Sequence, residues 1–517
     1  MGVGKVFLIG AGPGDPGLFT LKGVRCLGRA DLVICDHLAD PRLLRHARAE
    51  AEVVYAGKRA GTGASQEEIN SLMVLRARAG QVVARLKGGD PFIFGRGGEE
   101  MEALAKAEVP FEIVPGVTAA IAVPAYAGIP LTHRDFASSV AFVTGHEDPT
   151  KAHAGVAWDK LATGAGTLVV FMGSARLREI TDRLIGHGRP AETPAALIRW
   201  GTRAEQMTVV APLAEIAERA RTARMQPPAL LVVGEVVRLR PALGWFEAKP
   251  LFGRRIVVAR SREEPSALTE ILEDHGAEVL ELPSIRTLPP EDWRPLDAAI
   301  ARLSAYRWLF FTSATAVAGF WGRLAVARRD ARALAQLRVG AVGVGAAEAL
   351  RTRGLHADVC VASYRAEAVE RTLAGAGVVG TAVLFPGGIG AREALPALLE
   401  RQGARVDVVP TFRTVLVEWE GETLATLLAE GRIDAVAFTS SSTVTNFVEA
   451  LGTEEPAALL HRTTVACIGP RTGEAARRAG LPVHIQPTES SLPAFEEALL
   501  GHFLKETGGV RREGAPG

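Results

Sequence analysis

The residues best suited to chemistry sit at the ends of short apolar runs. Asp36 closes DLVICD (31–36), and Lys58 follows EVVYAG (52–57). Three glycine-proline segments end similar runs: GPGDP (12–16), GGDPF (88–92) and PGVTAA (115–120). A carboxylate and an ammonium beside glycine-lined backbone could hold a ligand closely and move a proton on it. They could equally form a salt bridge or solvated strand ends, and the residue types alone leave both readings open. The first segment also tests a phosphate function. A dinucleotide fingerprint GxGxxG from Gly10 needs glycines at 10, 12 and 15, and position 15 is Asp15. Pro13 lacks the N–H that a pyrophosphate would want, and Asp15 and Asp36 would repel it. The loop suits a less anionic ligand that carries a cationic centre.

These segments meet only if the runs before them lie side by side. The runs KVFLIGA (5–11), DLVICD, EVVYAG, QVVARLKG (81–88) and PFEIVPG (110–116) read as strands. Helical spacing separates them, one helix opening on the capping box Ser65-x-x-Glu68. Strand–helix alternation predicts an α/β unit with a parallel sheet and right-handed crossovers. All strand C-termini then open on one edge, where open α/β sheets bind ligands. Asp36, Lys58 and the three loops should share that rim.

The totals narrow the function classes. A net charge of +1 over 517 residues argues against nucleic acid as a partner. Cys26, Cys35, Cys360 and Cys467 are far apart, with no metal-ligand spacing, as expected for reduced thiols in the cytoplasm. No secretory signal is expected, because Met1–Lys5 runs straight into a strand. The uncharged stretch 113–131 contains Pro115, Pro124 and Pro130, which should break any helix there, so it predicts buried core around loops and no membrane span. His133-Arg134-Asp135 imitates a kinase catalytic loop, but the expected Asn falls at Val140. His146-Glu147-Asp148 lacks a second histidine at helical spacing, so no metal is expected.

The block RLKGGDPFIFGRGGEE (85–100), with GAGPGDPGLFTLK (10–22), VPGVTAA (114–120), AYAGIPLTHRD (125–135), TLVVFMG (167–173) and ALIRWGT (196–202), closely resembles uroporphyrinogen-III C-methyltransferase over residues 3–245. The resemblance implies a tetrapyrrole-methylase fold of two α/β lobes, usually dimeric, with S-adenosyl-L-methionine between them as methyl donor. It implies two methyl transfers to uroporphyrinogen III, giving precorrin-2 for sirohaem or cobalamin. By motif position it places Pro13, Gly89, Asp90, Pro91, Phe94, Ala119, Ala120, Met172 and Gly201 at the donor. Asp36 matches the family's proposed proton acceptor and Lys58 its proton donor. Arg134 is a candidate partner for substrate carboxylates, as are Arg59 and Arg96.

Beyond a proline-rich linker the sequence repeats itself. LPSIRT and VPTFRT lie 127 residues apart, as do Thr312-Ser313 and Thr439-Ser440. A period this long indicates two related α/β lobes. Each copy has a strand running into hydroxyls, FFTSATAV (310–317) and AFTSSSTV (437–444), where a helix start could cradle carboxylates or the hydroxyl could simply cap it. With FPGGIGAREAL (385–395) and CIGPRTGEAA (467–476), this half resembles uroporphyrinogen-III synthase over 253–505. The resemblance implies cyclisation of hydroxymethylbilane with inversion of ring D, and the paired hydroxyl clusters make Thr312, Ser313, Thr439, Ser440, Ser441 and Thr472 candidate substrate contacts. Phe412 stands where the family often has Tyr, and Ala346 stands where the second copy has Thr472.

The expected organisation is a methyltransferase unit 1–247, a linker 248–253, a synthase unit 254–505 and a disordered tail 506–517. Within the synthase unit one lobe should combine 254–283 with 415–505, and the other should be 288–410. The product of the second unit would be the substrate of the first. The rival reading is a methyltransferase fused to a non-catalytic tetrapyrrole sensor.

Overall fold

The computed structural model describes residues 2–56, 65–146, 155–260, 267–283, 285–361, 377–388, 394–416, 424–453 and 455–510. Five strands form the first sheet: β1 Val6–Gly10, β2 Leu32–Cys35, β3 Glu52–Tyr55, β4 Val83–Lys87 and β5 Phe111–Val114. Their order is β3-β2-β4-β1-β5, and every pair is parallel. Central β1, VFLIG, is buried along its whole length, as a strand covered by helices on both faces must be. The order places β1 and β4 side by side at the centre, so their terminal loops meet.

The second sheet has the order β6-β7-β10-β8-β9, from β6 Val140–Thr144, β7 Thr167–Phe171, β8 Pro194–Arg199, β9 Met207–Pro212 and β10 Ala229–Val233. Only β6 and β7 pair in parallel. Between the two sheets lies the helix Ala119–Tyr126, inside the proline-bearing stretch that was expected to hold no helix. Pro124 lies within it. The helix is short, and burial of Ala120, Ala122, Val123 and Pro124 outweighs the one hydrogen bond the proline removes. No helix among the described residues is long and apolar enough to cross a membrane.

The second half carries two more sheets. One has the order β12-β11-β19-β20, from β11 Arg255–Arg260, β12 Glu278–Pro283, β19 Ala435–Phe438 and β20 Thr464–Cys467. The other has the order β13-β18-β17-β14-β15-β16, from β13 Ile285–Leu288, β14 Trp308–Phe311, β15 Arg338–Val342, β16 Val359–Val361, β17 Ala382–Gly388 and β18 Arg405–Leu416. Strands β11, β12 and β19 start 127 residues from β17, β18 and β14 respectively, and the strand order β12-β11-β19-β20 repeats as β18-β17-β14-β15. The sequence repeat is a repeat of sheet topology.

Three boundaries differ from expectation. The crossover segments belong to the second lobe, because β13 pairs antiparallel with the far end of β18; that lobe is Ile285–Leu416 rather than 288–410. The pairing satisfies backbone that a bare crossover would leave unpaired. The last helix runs Leu492–Val510, so residues 506–510 continue a helix, while 511–517 lie outside the described residues. The linker is a series of turns: Lys249 N–H donates to Phe246 O, Leu251 N–H to His275 O, and Leu251 is fully buried in the second half.

Candidate functional site

The rim of the first sheet is assembled by glycines at close quarters. Gly12 (φ 79°) and Gly89 (φ 66°) pair reciprocally: Gly12 N–H donates to Gly89 O at 3.2 Å, and Gly89 N–H to Gly12 O at 2.7 Å. A Cβ on Gly10 would come within 2.5 Å of the Gly116 Cα and 2.7 Å of the Gly89 carbonyl. Side chains are excluded here so that three strand ends can approach. Asp90 ties the loops together, its Oδ1 accepting from Phe92 N–H at 2.8 Å and its Oδ2 from Gly116 N–H at 3.0 Å. Asp36 is half-buried on the same rim, with its amide on Leu86 O at 2.8 Å and its Oδ1 accepting from His37 N–H. The rim expected for Asp36, Pro13, Gly89, Asp90 and Pro91 is therefore present. Lys58 and Arg59 lie outside the described residues.

The second lobe supplies the facing wall. Thr118 caps the helix at Ala119, its Oγ1 accepting from Ala120 N–H, and Ala120 is fully buried. Gly201 is buried against Val123, leaving no room for a side chain. Phe94 and Met172 remain exposed at 41% and 51%, and the Phe94 ring lies 5.0 Å from that of Phe171. Phe94, Arg96, Met172, Trp200 and Thr202 all hold positive φ without being glycine. Such backbone is costly and gathers where a site demands it. Their sequence carries no glycine to signal it, so this strain was not legible beforehand. Arg134 is exposed on its loop, and Arg96 is engaged by Glu99 at 2.5 Å.

The hydroxyl clusters of the second half are both used as caps. Ser313 Oγ accepts from Ala316 N–H at 3.1 Å at the start of the helix Ala314–Val326, and Thr312 precedes it. Ser440 caps the helix Ser441–Leu451 in a reciprocal box with Thr443, following Thr439. Ser441 Oγ donates to Arg471 O at 3.2 Å, tying that helix start to the next, and Ser440 and Ser442 Oγ lie 3.0 Å apart. Thr472, a candidate substrate contact, is 5% exposed in the first turn of the helix Pro470–Arg478. Ala346 holds the matching third position of the helix Val344–Arg351 at 2% exposure.

Residues 5–217 match the family model for tetrapyrrole (corrin/porphyrin) methylases, and residues 266–495 match that for uroporphyrinogen-III synthase HemD. A "Porphyrin biosynthesis protein HemD" of Ruminiclostridium josui is 34% identical over 498 residues, covering 96% of this chain and 98% of that protein. The chain belongs to the tetrapyrrole methylases through its first half and to the uroporphyrinogen-III synthase family through its second. The methylase half is also 50% identical to an S-adenosyl-L-methionine-dependent uroporphyrinogen III methyltransferase of Methanosarcina barkeri, over 47% of this chain and 95% of that protein. It is 42% identical to a uroporphyrin-III C-methyl transferase of Thermus thermophilus solved with S-adenyl homocysteine, with a TM-score of 0.40, covering 46% of this chain and 99% of that one.

Three groups in the methylase half escaped the sequence reading. Asp15 is committed to structure: its Oδ1 accepts from Gly17 N–H at 2.7 Å and its Oδ2 from Tyr126 Oη at 2.6 Å. Burial and this bond raise the Tyr126 phenol, which stays protonated. Beneath the rim, fully buried Glu100 accepts from Lys87 Nζ at 2.8 Å, Gln66 Nε2 at 3.1 Å and Arg85 Nε at 3.2 Å, all on Oε1. Burial and the Arg85 charge lower the Lys87 ammonium. An acid pair after an Arg-x-Lys strand, RLKGGDPFIFGRGGEE, was the available signal. Third, Arg203 packs on the loop 12–16 beside Gly14 and is stacked on Trp200 at 4.9 Å. The Cys35 thiol, pushed by burial up to about 12, is inert beside Asp36.

Proposed function

We propose that the chain is bifunctional: the synthase half cyclises hydroxymethylbilane to uroporphyrinogen III with inversion of ring D, and the methylase half methylates that product twice to precorrin-2. The reading places the enzyme in the cytoplasm as a homodimer joined through its methylase halves. The observation that carries it is the rim at which the Gly12–Gly89 pair, Asp90 and Asp36 converge at strand C-termini. The residues fit S-adenosyl-L-methionine: backbone at Gly10 and Gly116 leaves no space for a Cβ, Gly89 holds a positive φ that favours glycine, and exposed Phe94 and Met172 offer apolar surface. When bound, it supplies an electrophilic sulfonium methyl. Pro13, Pro91, Ala119, Ala120 and Gly201 complete the cradle. Asp36 accepts the proton that leaves the macrocycle, Lys58 returns one, and the rigid rim fixes the approach of the two reactants. In the synthase half the helix starts behind Ser313 and Ser440 receive substrate carboxylates, and positioning carries most of the acceleration.

The test is direct. Purified chain given hydroxymethylbilane without methyl donor should form the type III ring; formation of only the symmetric type I ring at the spontaneous rate favours the sensor reading. Asp36→Asn should slow methyl transfer about 100-fold or more while methyl-donor affinity is kept. Unchanged turnover removes Asp36 from the mechanism.

A further inference from the structure

A salt-bridge chain runs from the synthase half into the rim of the methylase half. Glu273, at the end of the helix Ala267–Asp274, accepts from Arg42 Nη1 at 3.4 Å. Arg42 clasps buried Asp40 at both oxygens, Nε to Oδ1 at 3.0 Å and Nη2 to Oδ2 at 2.9 Å. Asp40 Oδ2 is 4.0 Å from Arg203 Nη2, and Arg203 Nη2 donates to Leu38 O at 3.3 Å. The Arg203 side chain also fills the space beside Gly14, where a Cβ would meet its Cγ and Nε at 2.9 Å; neighbouring Thr202 Oγ1 accepts from Asp15 N–H at 3.0 Å. Both rim loops, 12–16 and 36–40, thus rest on one chain of charges that ends in the other half of the protein.

The charges do not balance inside the methylase half. Arg42 and Arg203 face one carboxylate, Asp40, with side-chain exposures of 16%, 16% and 5%. Glu278, its side chain 12% exposed, and Glu273, at 36%, face Arg42 from the synthase half and together supply the missing negative charge, so removing Glu273 leaves part of it uncompensated. Neighbouring pairs follow the same pattern: Arg45 lies 4.0 Å from Glu281, and Arg255 of the synthase half bridges Glu205 and Glu278.

We propose that the synthase half is a brace for methyl transfer: Glu273 and Arg42 are positioning residues that hold the loops 12–16 and 36–40 in register through Asp40 and Arg203. The consequence for catalysis rests on the methyltransferase reading above; the brace itself does not. Full-length wild type, Glu273→Gln and, as a control, Glu270→Gln on the exposed face of the same helix are compared in two measurements. Amide hydrogen exchange should quicken in Glu273→Gln by ~3–10-fold, confined to 12–16 and 36–40. Methylation of supplied uroporphyrinogen III should lose ~3–10-fold in kcat, with the KM for the methyl donor changed less than about two-fold and cyclisation of hydroxymethylbilane unchanged. Glu270→Gln should match wild type in both. Rim exchange equal to wild type in Glu273→Gln overturns the brace, as does faster exchange spread over the whole methylase half. If wild type does not methylate uroporphyrinogen III, the functional reading fails and rim exchange alone decides the brace.

Discussion

Tyr126 Oη donates to Asp15 Oδ2 at 2.6 Å, joining the helix between the two methylase lobes to the glycine loop that follows the first strand. One side chain from the helix thereby sets the loop that lines the ligand rim. Asp15 defeats a dinucleotide fingerprint by its identity, and the bond gives the positive reason for it.

Tyr126→Phe should destabilise the methylase half by ~1.5–3 kcal/mol, the range for a hydrogen bond to a charged group. Urea denaturation measures the loss. Asp15→Asn, which keeps an acceptor, should cost less.

Glu100→Gln should be the most damaging single change beneath the rim, at about 3–5 kcal/mol, because it leaves Arg85 and Lys87 buried without a counter-charge. Thermal unfolding measures it. Glu99→Gln, one residue earlier and exposed, should stay within about 0.5 kcal/mol of wild type.

Asp40 gives the fold an acid limit. Burial opposes its charge, but the Arg42 hydrogen bonds and charge win, so its carboxyl lies below the ordinary 3.8. A depressed folded pKa contributes stability that is complete above 3.8 and is lost as the pH falls through the lowered value. Denaturation across pH 5 to 2 should show a steeper decline in wild type than in Asp40→Asn. Parallel curves would remove Asp40 from the acid response.

Ser440 separates capping from substrate binding in the synthase half. Aspartate caps as well as serine, so Ser440→Asp should leave stability within about 0.5 kcal/mol while placing a negative charge where carboxylates are proposed to bind. Cyclisation of hydroxymethylbilane should fall at least ten-fold. Ser440→Ala should instead cost ~0.5–2 kcal/mol of stability. Full cyclisation by Ser440→Asp would return this serine to a purely structural role.

The first sheet was legible because each strand is a continuous apolar run ending in glycine, proline or charge, and a parallel sheet allows one rim only. The duplication was legible from matched spacings and returned as matched sheet order. What escaped is tertiary. The left-handed backbone at Phe94, Met172 and Trp200 is imposed by neighbours and leaves no mark on residue type. Pro124 sits in a helix because packing outweighs propensity, and Glu100 looks like any surface acid until Arg85 and Lys87 are placed beside it. The sequence admits the hydroxyls at 313 and 440 as a cradle or as caps, and both cap helices in the fold.

In the proposed reaction sequence one chain makes a type III macrocycle and then methylates it. Hydroxymethylbilane and S-adenosyl-L-methionine supplied together to the full-length protein, with products separated and weighed, test it most directly. A type III ring carrying two transferred methyl groups is the expected product. Accumulation of unmethylated type I ring at the spontaneous rate would contradict it.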